Sequence, residues 1–230
     1  MKKVVIFGAK EFECRLKYYI DNYTDDKVSA FCVDEQYRTE SVFCGVPVIC
    51  SYEICSMYPP EGYEMLVGIG YKNMNDLRMQ KTVWAKLLGY RLYNLIHRTA
   101  FLDKSVSLGG GNIILGNVFI DYKTQIGDGN IIEIGTHIAH ECKIGNYNYL
   151  SPKTLLGGKV ILGNNNFCGL GSIVRSAVNV ESYVLLGAAS YADRKVGANS
   201  VIVPARSKKL YKESREMEIL YQGEKEWIES

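Results

Sequence analysis

The 230-residue chain is poor in several things, and each shortage removes a class of function. No apolar run approaches the ~20 residues of a membrane-spanning helix, so membrane insertion is not expected. The opening MKKVVIFGAKEF pairs two lysines with an apolar run too short for a signal peptide, and it reads better as a strand opening a domain. Charge of one sign is missing. With 27 Lys and Arg against 25 Asp and Glu, mixed along the chain, there is no concentrated basic face for nucleic acid. The seven cysteines are odd in number, form no CxxC pair and show no zinc-type spacing. Reduced thiols in a cytoplasmic protein are expected, with no disulfide framework and no bound metal. Histidine occurs three times only, as His97, His137 and His140.

What is present falls into two halves with different periods. Over the first ninety-odd residues, short apolar runs (KVVIFG, VSAFCVD, PVIC, EMLVGIG, RLYNLI) alternate with helix-spaced stretches. In EFECRLKYYIDNY, Phe12, Leu16, Tyr19 and Ile20 share one helical face. A short helix is expected near SYEICSMY, and MNDLRMQKTVWAKLLG reads as a helix stopped by Gly89. Such alternation implies a parallel sheet flanked by helices.

From Leu102 the rule changes. Every sixth residue, from Leu102 and Leu108 through Ile138 to Val180 and Leu186, is aliphatic, with Cys168 the exception. The position four later is always small, β-branched or Asn. Gly109, Gly127, Gly145 and Gly163 recur every 18 residues, as do Asn112, Asn130, Asn148 and Asn166, so three hexads make one coil. This describes a triangular prism. Each hexad is a short strand and a turn, the aliphatic points inward, and coils stack as parallel strands roughly 4.8 Å apart. Gly and Asn are expected to supply the left-handed backbone of the turns. The phase breaks at SYADRK and resumes at Val196 and Ile202, which reads as a loop leaving the prism.

Hexads of this kind resemble the left-handed parallel β-helix of the hexapeptide acyltransferase superfamily. With VVIFGAKEF, MLVGIGYKNMNDLR and the IAHECKIG block, roughly residues 1–206 resemble the NeuD-type sugar O- and N-acyltransferases. The expected architecture is an α/β, Rossmann-like parallel sheet domain binding a nucleotide sugar (1–97), an all-β left-handed parallel β-helix (98–206) and a C-terminal tail (207–230). The resemblance implies an acetyltransferase using acetyl-CoA as acyl donor, assembled as a homotrimer with active sites between neighbouring prisms. The acceptor is a small sugar, in particular a nucleotide-linked one.

His140 lies two residues past the inward Ile138, on a turn, so its ring projects outward. The resemblance makes His140 a general base and Glu141 the acid that raises its basicity. Imidazole suits the work, because an acceptor hydroxyl or ammonium must lose a proton as it attacks the thioester. Gly158 stands one coil above His140, and its bare backbone N–H is a candidate oxyanion donor. The resemblance assigns the oxyanion amide to the same place. It also puts Tyr149, Gly158 and Leu170 against acyl-CoA, although relatives often carry His where this chain has Tyr149. His137 precedes Ile138 and faces outward, which suits a contact between subunits, and Cys142 occupies a core corner.

In the front half, Gly8, Ala9 and Lys10 form a turn at a helix N-terminus, a natural anion site. Relatives show GAGGHG or GAGGFG there, whereas this chain has Lys10 and Glu11 in place of two glycines. Asp34 closes the second strand and can hold a ribose or sugar hydroxyl. GIGYKN resembles the family loop that faces the nucleotide, with Gly68, Gly70 and Lys72 as its contacts. Two rivals remain. One is a non-catalytic scaffold that binds sugar nucleotides. The other is a γ-carbonic-anhydrase-like metalloenzyme, which needs three histidines, while His97 lies before the prism. In the tail, Leu210, Met217, Ile219, Leu220 and Trp227 fit either a helix packed on a neighbour or a segment with partial disorder.

Overall fold

A computed structural model describes residues 1–207, 209 and 211. The expectation of a packed or disordered tail falls almost wholly outside the described residues. The front half forms β1 (Lys3–Phe7), α1 (Glu11–Tyr23), β2 (Lys27–Val33), β3 (Val42–Phe43), β4 (Val46–Cys50), α2 (Ile54–Met57), β5 (Glu64–Val67), α3 (Asp76–Leu87) and β6 (Arg91–Leu92). The sheet order is β3-β4-β2-β1-β5-β6. All pairs are parallel except β3–β4, a hairpin through Cys44 and Gly45 that the apolar pattern did not show. The sheet is therefore mixed at one edge, where a fully parallel one was expected.

Alternation along β1 sorts the core into two layers. Val4 and Ile6 face α1 (Leu16, Ile20), whereas Val5 and Phe7 face α2 and α3. α1 ends where the backbone N–H and hydroxyl of Thr24 both donate to the Ile20 carbonyl. α3 ends at Gly89, whose φ of +90° only glycine adopts cheaply.

The second half is three walls of two-residue rungs, each rung pairing in parallel with the rung 18 residues on, as His137–Ile138 does with Leu155–Leu156. Wall one begins at Leu95–Ile96, hydrogen-bonded to Ile113–Ile114, so the first rung precedes residue 98. Wall two runs from Phe101–Leu102 through Tyr191–Ala192, and wall three from Ser107–Leu108 through Asn179–Val180. The inward aliphatics form one continuous core.

The expectation about the turns holds in part. The glycines and asparagines of the 18-residue repeats are not the left-handed residues. From Leu108 to Leu186 the left-handed residue is the third past each inward residue of the repeat. It is glycine at Gly111, Gly129, Gly135 and Gly171 and asparagine at Asn117 and Asn165. Elsewhere it carries side chains such as Lys123, Glu141, Lys159 and Tyr183, with φ of +53° to +62° at these four. The stacking of coils imposes this backbone on whatever residue stands there. Gly127 and Gly145 are bare because a Cβ would lie 2.8 and 2.6 Å from a carbonyl oxygen one coil on. The asparagines instead form a buried ladder. The Asn130 side chain donates to Asn112 Oδ1 and the Gly145 carbonyl, both at 3.0 Å, and its own oxygen accepts the Asn148 backbone N–H at 2.9 Å. These bonds satisfy polar groups that burial would otherwise penalise.

The break at SYADRK is not a loop out of the prism. Tyr191–Ala192 is a regular rung of wall two with Ala192 buried, and the following coil is two residues short: Val196 bridges Val180 and Val201–Ile202 pairs with Leu185–Leu186. Nor are all the thiols reduced. Cys14 on α1 is bonded to Cys44 in the β3–β4 hairpin, with Cα atoms 6.1 Å apart, and Cys32, Cys50, Cys55, Cys142 and Cys168 are free.

Candidate active site on a prism corner

His140 lies on the corner between walls two and three, as its spacing from Ile138 predicts, with its side chain half exposed. Glu141 follows in the left-handed turn position, φ +57°, which turns its carboxylate back toward the imidazole. His140 Nδ1 stands 3.0 Å from Glu141 Oε2. A carboxylate only accepts, so Nδ1 carries the proton and the neutral ring keeps its lone pair on Nε2. The bond from His140 holds the Glu141 carboxyl below the ordinary carboxylate range, helped by the nearby ammonium groups of Lys159 and Lys123. Lys159 Nζ is 3.8 Å from Glu141.

Gly158 lies directly overhead. A Cβ built there would fall 2.5 Å from His140 Nε2, so only glycine leaves the ring its place. The corner between walls three and one offers a comparison. There, the amide at the equivalent turn position is capped by a side chain from the next coil: Asp128 by Asn146, Asn146 by Asn164 and Asn164 by Ser182. Among the described residues the Gly158 amide has no such cap, while its neighbours are bonded, Gly157 N–H to the Val174 carbonyl and Lys159 N–H to the His140 carbonyl. Gly158 thus borders the imidazole Nε2 and carries an N–H with no bond among the described residues, as do the His140 and Ser176 amides at the same turn position of this corner.

The three histidines do not converge. His137 lies flat on Phe119, with centroids 4.9 Å apart and planes 8° apart. His97 packs edge-on against Tyr19 and Tyr23, with Nδ1 2.9 Å from Thr99 Oγ1. No group of three His, Cys, Asp or Glu able to hold a metal occurs among the described residues. Cys142 is buried, its thiol pKa raised by burial, and it donates to the Gly157 carbonyl at 3.2 Å.

Tyr149 and Leu170 are not on the His140 corner. Tyr149 projects from wall one, stacked on Phe167 and edge-on to Tyr71, with its hydroxyl 3.0 Å from Glu133 Oε1. Burial, then the Glu133 carboxylate, raise its pKa. Glu133 also accepts from Arg15 of α1 at 3.2 Å. Leu170 is exposed on the corner between walls one and two.

Of the front residues, Gly8, Ala9, Lys10, Asp34, Gly70 and Lys72 line one cavity of about 630 Å³ at the ends of β1 and β2. Gly68 does not line it. Its missing side chain makes room for α1, since a Cβ would meet Glu13 Cγ at 2.6 Å. Sequence reasoning missed four residues in and around this cavity. Lys81 of α3 holds Asp34 at 2.6 Å, and Ser51 adds a bond at 3.0 Å. Glu13 is almost fully buried; its place in line with Leu16 and Ile20 was the available signal, a charge on an apolar stripe. Arg78 is fully buried between α3 and the prism.

Comparison with known proteins fits this picture. The bacterial transferase hexapeptide (six repeats) family model matches residues 123–158, the stretch that carries His140, Glu141 and Gly158. The structure is similar to PerB of Caulobacter crescentus, solved with CoA and GDP-perosamine, at 27% identity over 87% of this chain and 93% of that one, TM-score 0.78. It is similar also to a histidine-to-alanine variant of GDP-perosamine N-acetyl transferase from the same organism, solved with the same two ligands, at 25% identity, 89% and 98% coverage and TM-score 0.79. The acetyltransferase domain of PglB from Neisseria gonorrhoeae shares the fold at 22% identity, 89% and 100% coverage and TM-score 0.76. No curated protein matches the chain by sequence. In its repeat and in its fold along most of its length, the chain is similar to the hexapeptide-repeat sugar acyltransferases.

Proposed function

We propose that this chain transfers an acyl group, acetyl in the first instance, from acyl-CoA to an amino or hydroxyl group of a nucleotide-linked sugar. The observation that carries the proposal is the close approach of His140 Nε2 to Gly158, a residue without a side chain whose N–H has no bond among the described residues. The acceptor N or O attacks the thioester carbonyl carbon while Nε2 takes its proton. The Glu141 carboxylate stabilises the imidazolium so formed. The oxyanion of the tetrahedral intermediate accepts from the Gly158 N–H. Collapse breaks the C–S bond, and the departing thiolate of CoA takes the proton from imidazolium. No acyl-enzyme forms, so no serine or cysteine nucleophile is needed. The CoA complexes among the similar structures support the donor, and their GDP-perosamine supports a nucleotide-linked acceptor in the front cavity.

The reading includes a homotrimer acting in the cytoplasm, with an acceptor-binding Rossmann-like front and a left-handed transferase prism whose first rung is Leu95–Ile96. Wall two has Leu170 along one edge and His140 along the other. A three-fold assembly through wall two brings the first edge of one copy to the second edge of the next, so Leu170 and Tyr149 of one copy can meet acyl-CoA held against His140 of its neighbour.

The test is free-thiol release from acetyl-CoA across a panel of nucleotide sugars. His140→Ala is expected to lower kcat by about 10²–10⁴-fold and to leave the melting temperature unchanged, because the ring is half exposed. Undiminished turnover in the variant would remove the base assignment. Failure of the wild type to bind any acyl-CoA in calorimetry would favour the scaffold instead.

A further inference from the structure

Glu13 occupies the place where a bound phosphate is expected. In an open parallel sheet, anions bind outside the carboxyl ends of the strands, at a helix N-terminus. Here that notch lies between the ends of β1 and β5 and the start of α1, and Glu13 fills it. A Cβ on Gly8 would fall 2.6 Å from Glu13 Oε1, and one on Gly68 would fall 2.6 Å from Glu13 Cγ. Glu13 Oε2 accepts the Lys10 backbone N–H at 2.8 Å, the donor that a phosphate oxygen would otherwise take. The residue is only 5% exposed. Both glycines therefore accommodate a carboxylate of the chain itself.

The cavity beside this plug carries three lysines and two carboxylates among its lining residues. Lys81 is committed to Asp34. Lys10 and Lys72 have no ion-pair partner among the described residues. Both are exposed at the cavity rim.

We infer that Glu13 is a specificity-determining residue that bars the diphosphate of the acceptor from the helix N-terminus, so that the Lys10 and Lys72 ammonium groups hold it at the rim. This rests on the nucleotide-sugar reading of the front cavity. It makes recognition of the phosphates a matter of two mobile point charges working against one fixed anion, without a backbone cradle.

Calorimetry on the full chain, with UDP and GDP as probes and uridine and guanosine as phosphate-free controls, tests it. Glu13→Gln keeps an oxygen for the Lys10 N–H and removes the charge. It is expected to tighten both diphosphates about fivefold. Lys10→Met and Lys72→Met are each expected to weaken them by a similar factor, and the double variant by about the product. Binding of the nucleosides should not change in any variant. Equal diphosphate affinity in wild type and Glu13→Gln overturns the inference. So does equal affinity in wild type and the two lysine variants, which decide the matter alone should Glu13→Gln fail to fold. If neither diphosphate nor any nucleotide sugar binds the wild type, the nucleotide reading itself fails.

Discussion

Replacing Arg78 by Met tests whether the front sheet and the prism are held as one unit by a single guanidinium. Arg78 is 1% exposed, and all of its donors are used. Nε bonds the Gly129 carbonyl at 2.8 Å, Nη1 those of Ile69 and Gly70 at 3.2 and 2.6 Å, and Nη2 those of Tyr147 and Asn148 at 2.8 and 3.1 Å. Three of these carbonyls belong to the prism and two to the turn beside the front cavity. Burial pulls the guanidinium down to about 9, which leaves it charged at neutral pH. Five charge-assisted bonds at about 1.5–3 kcal/mol each would overstate the loss, because they share one group and because removing the buried charge returns its desolvation cost. The Asn148 carbonyl also keeps the Ile131 N–H, and water can reach those of Ile69, Gly70 and Tyr147, which are only half buried. The buried Gly129 carbonyl is left without a partner. The expected cost is about 3–5 kcal/mol, a large part of the ~5–15 kcal/mol that holds a folded chain. Equilibrium urea unfolding of wild type and variant at matched concentration measures it. Arg78→Lys should fall between the two, since an ammonium offers three donors in place of five. A cost below about 1 kcal/mol for Arg78→Met would mean that the apolar contacts alone fix the sheet to the prism.

Two further outcomes follow from named contacts. Breaking Cys14–Cys44, by Cys14→Ser or by reductant, opens a closure across a sequence separation of 30. Chain entropy puts this at about 3–4 kcal/mol, a fall in Tm of about 10 °C. Titration of the denatured, unreduced protein should find five thiols, and finding seven with Tm indifferent to reductant would restore the reduced state expected from the sequence. Gly158→Ala separates function from fold. Gly158 is not among the left-handed positions, so the backbone accepts Ala, but the new Cβ displaces the His140 ring. Thiol release should fall about 10²-fold with Tm unchanged, and full activity would show that the amide and the imidazole do not act together.

The prism was legible because its core uses one residue per rung. A period of six is set by backbone geometry, and Leu102 through Leu186 obey it whatever stands between them. Ala192 continues the phase, yet a short side chain before Asp193 and Arg194 carries little signal, so the shortened last coil passed for a loop. The left-handed position was illegible because stacked coils force it on Lys, Tyr, Glu and Ala alike. His140 and Gly158 could be paired by counting one coil. Arg78 could not be found, since a lone arginine in MNDLRMQKTVWAKLLG looks like any solvated helix residue until the prism carbonyls are placed against it. The Cys14–Cys44 pair and the antiparallel β3 depend likewise on approaches between distant segments. Gly68 was assigned to a ligand because a glycine after a strand looks the same whether it clears space for a substrate or for Glu13.

The outward residues of the three walls divide the work of the prism. On wall one, Leu95, Ile113 and Ile131 are fully buried under the front sheet and its α1 layer. On wall three, Ser107, Gln125, Lys143 and Asn179 are mostly polar, and Ile161 is the apolar exception. Wall two is different. Phe101, Phe119 and His137 stack in a column, with centroids 4.9 Å apart at each step. Leu155, Ile173 and Tyr191 extend the same line and are 40–56% exposed. An apolar stripe along a whole wall is costly to leave in water and is the mark of an association surface. The front sheet covers wall one and a polar face needs no cover, so the stripe is what the proposed three-fold assembly would bury. His140 stands on the edge of that wall. Covering the stripe would place a second protein surface beside the imidazole and draw water away from it, where each charge and hydrogen bond at the thioester counts for more than in the open. The same residues that make the isolated wall unfavourable would thus complete the site on its edge.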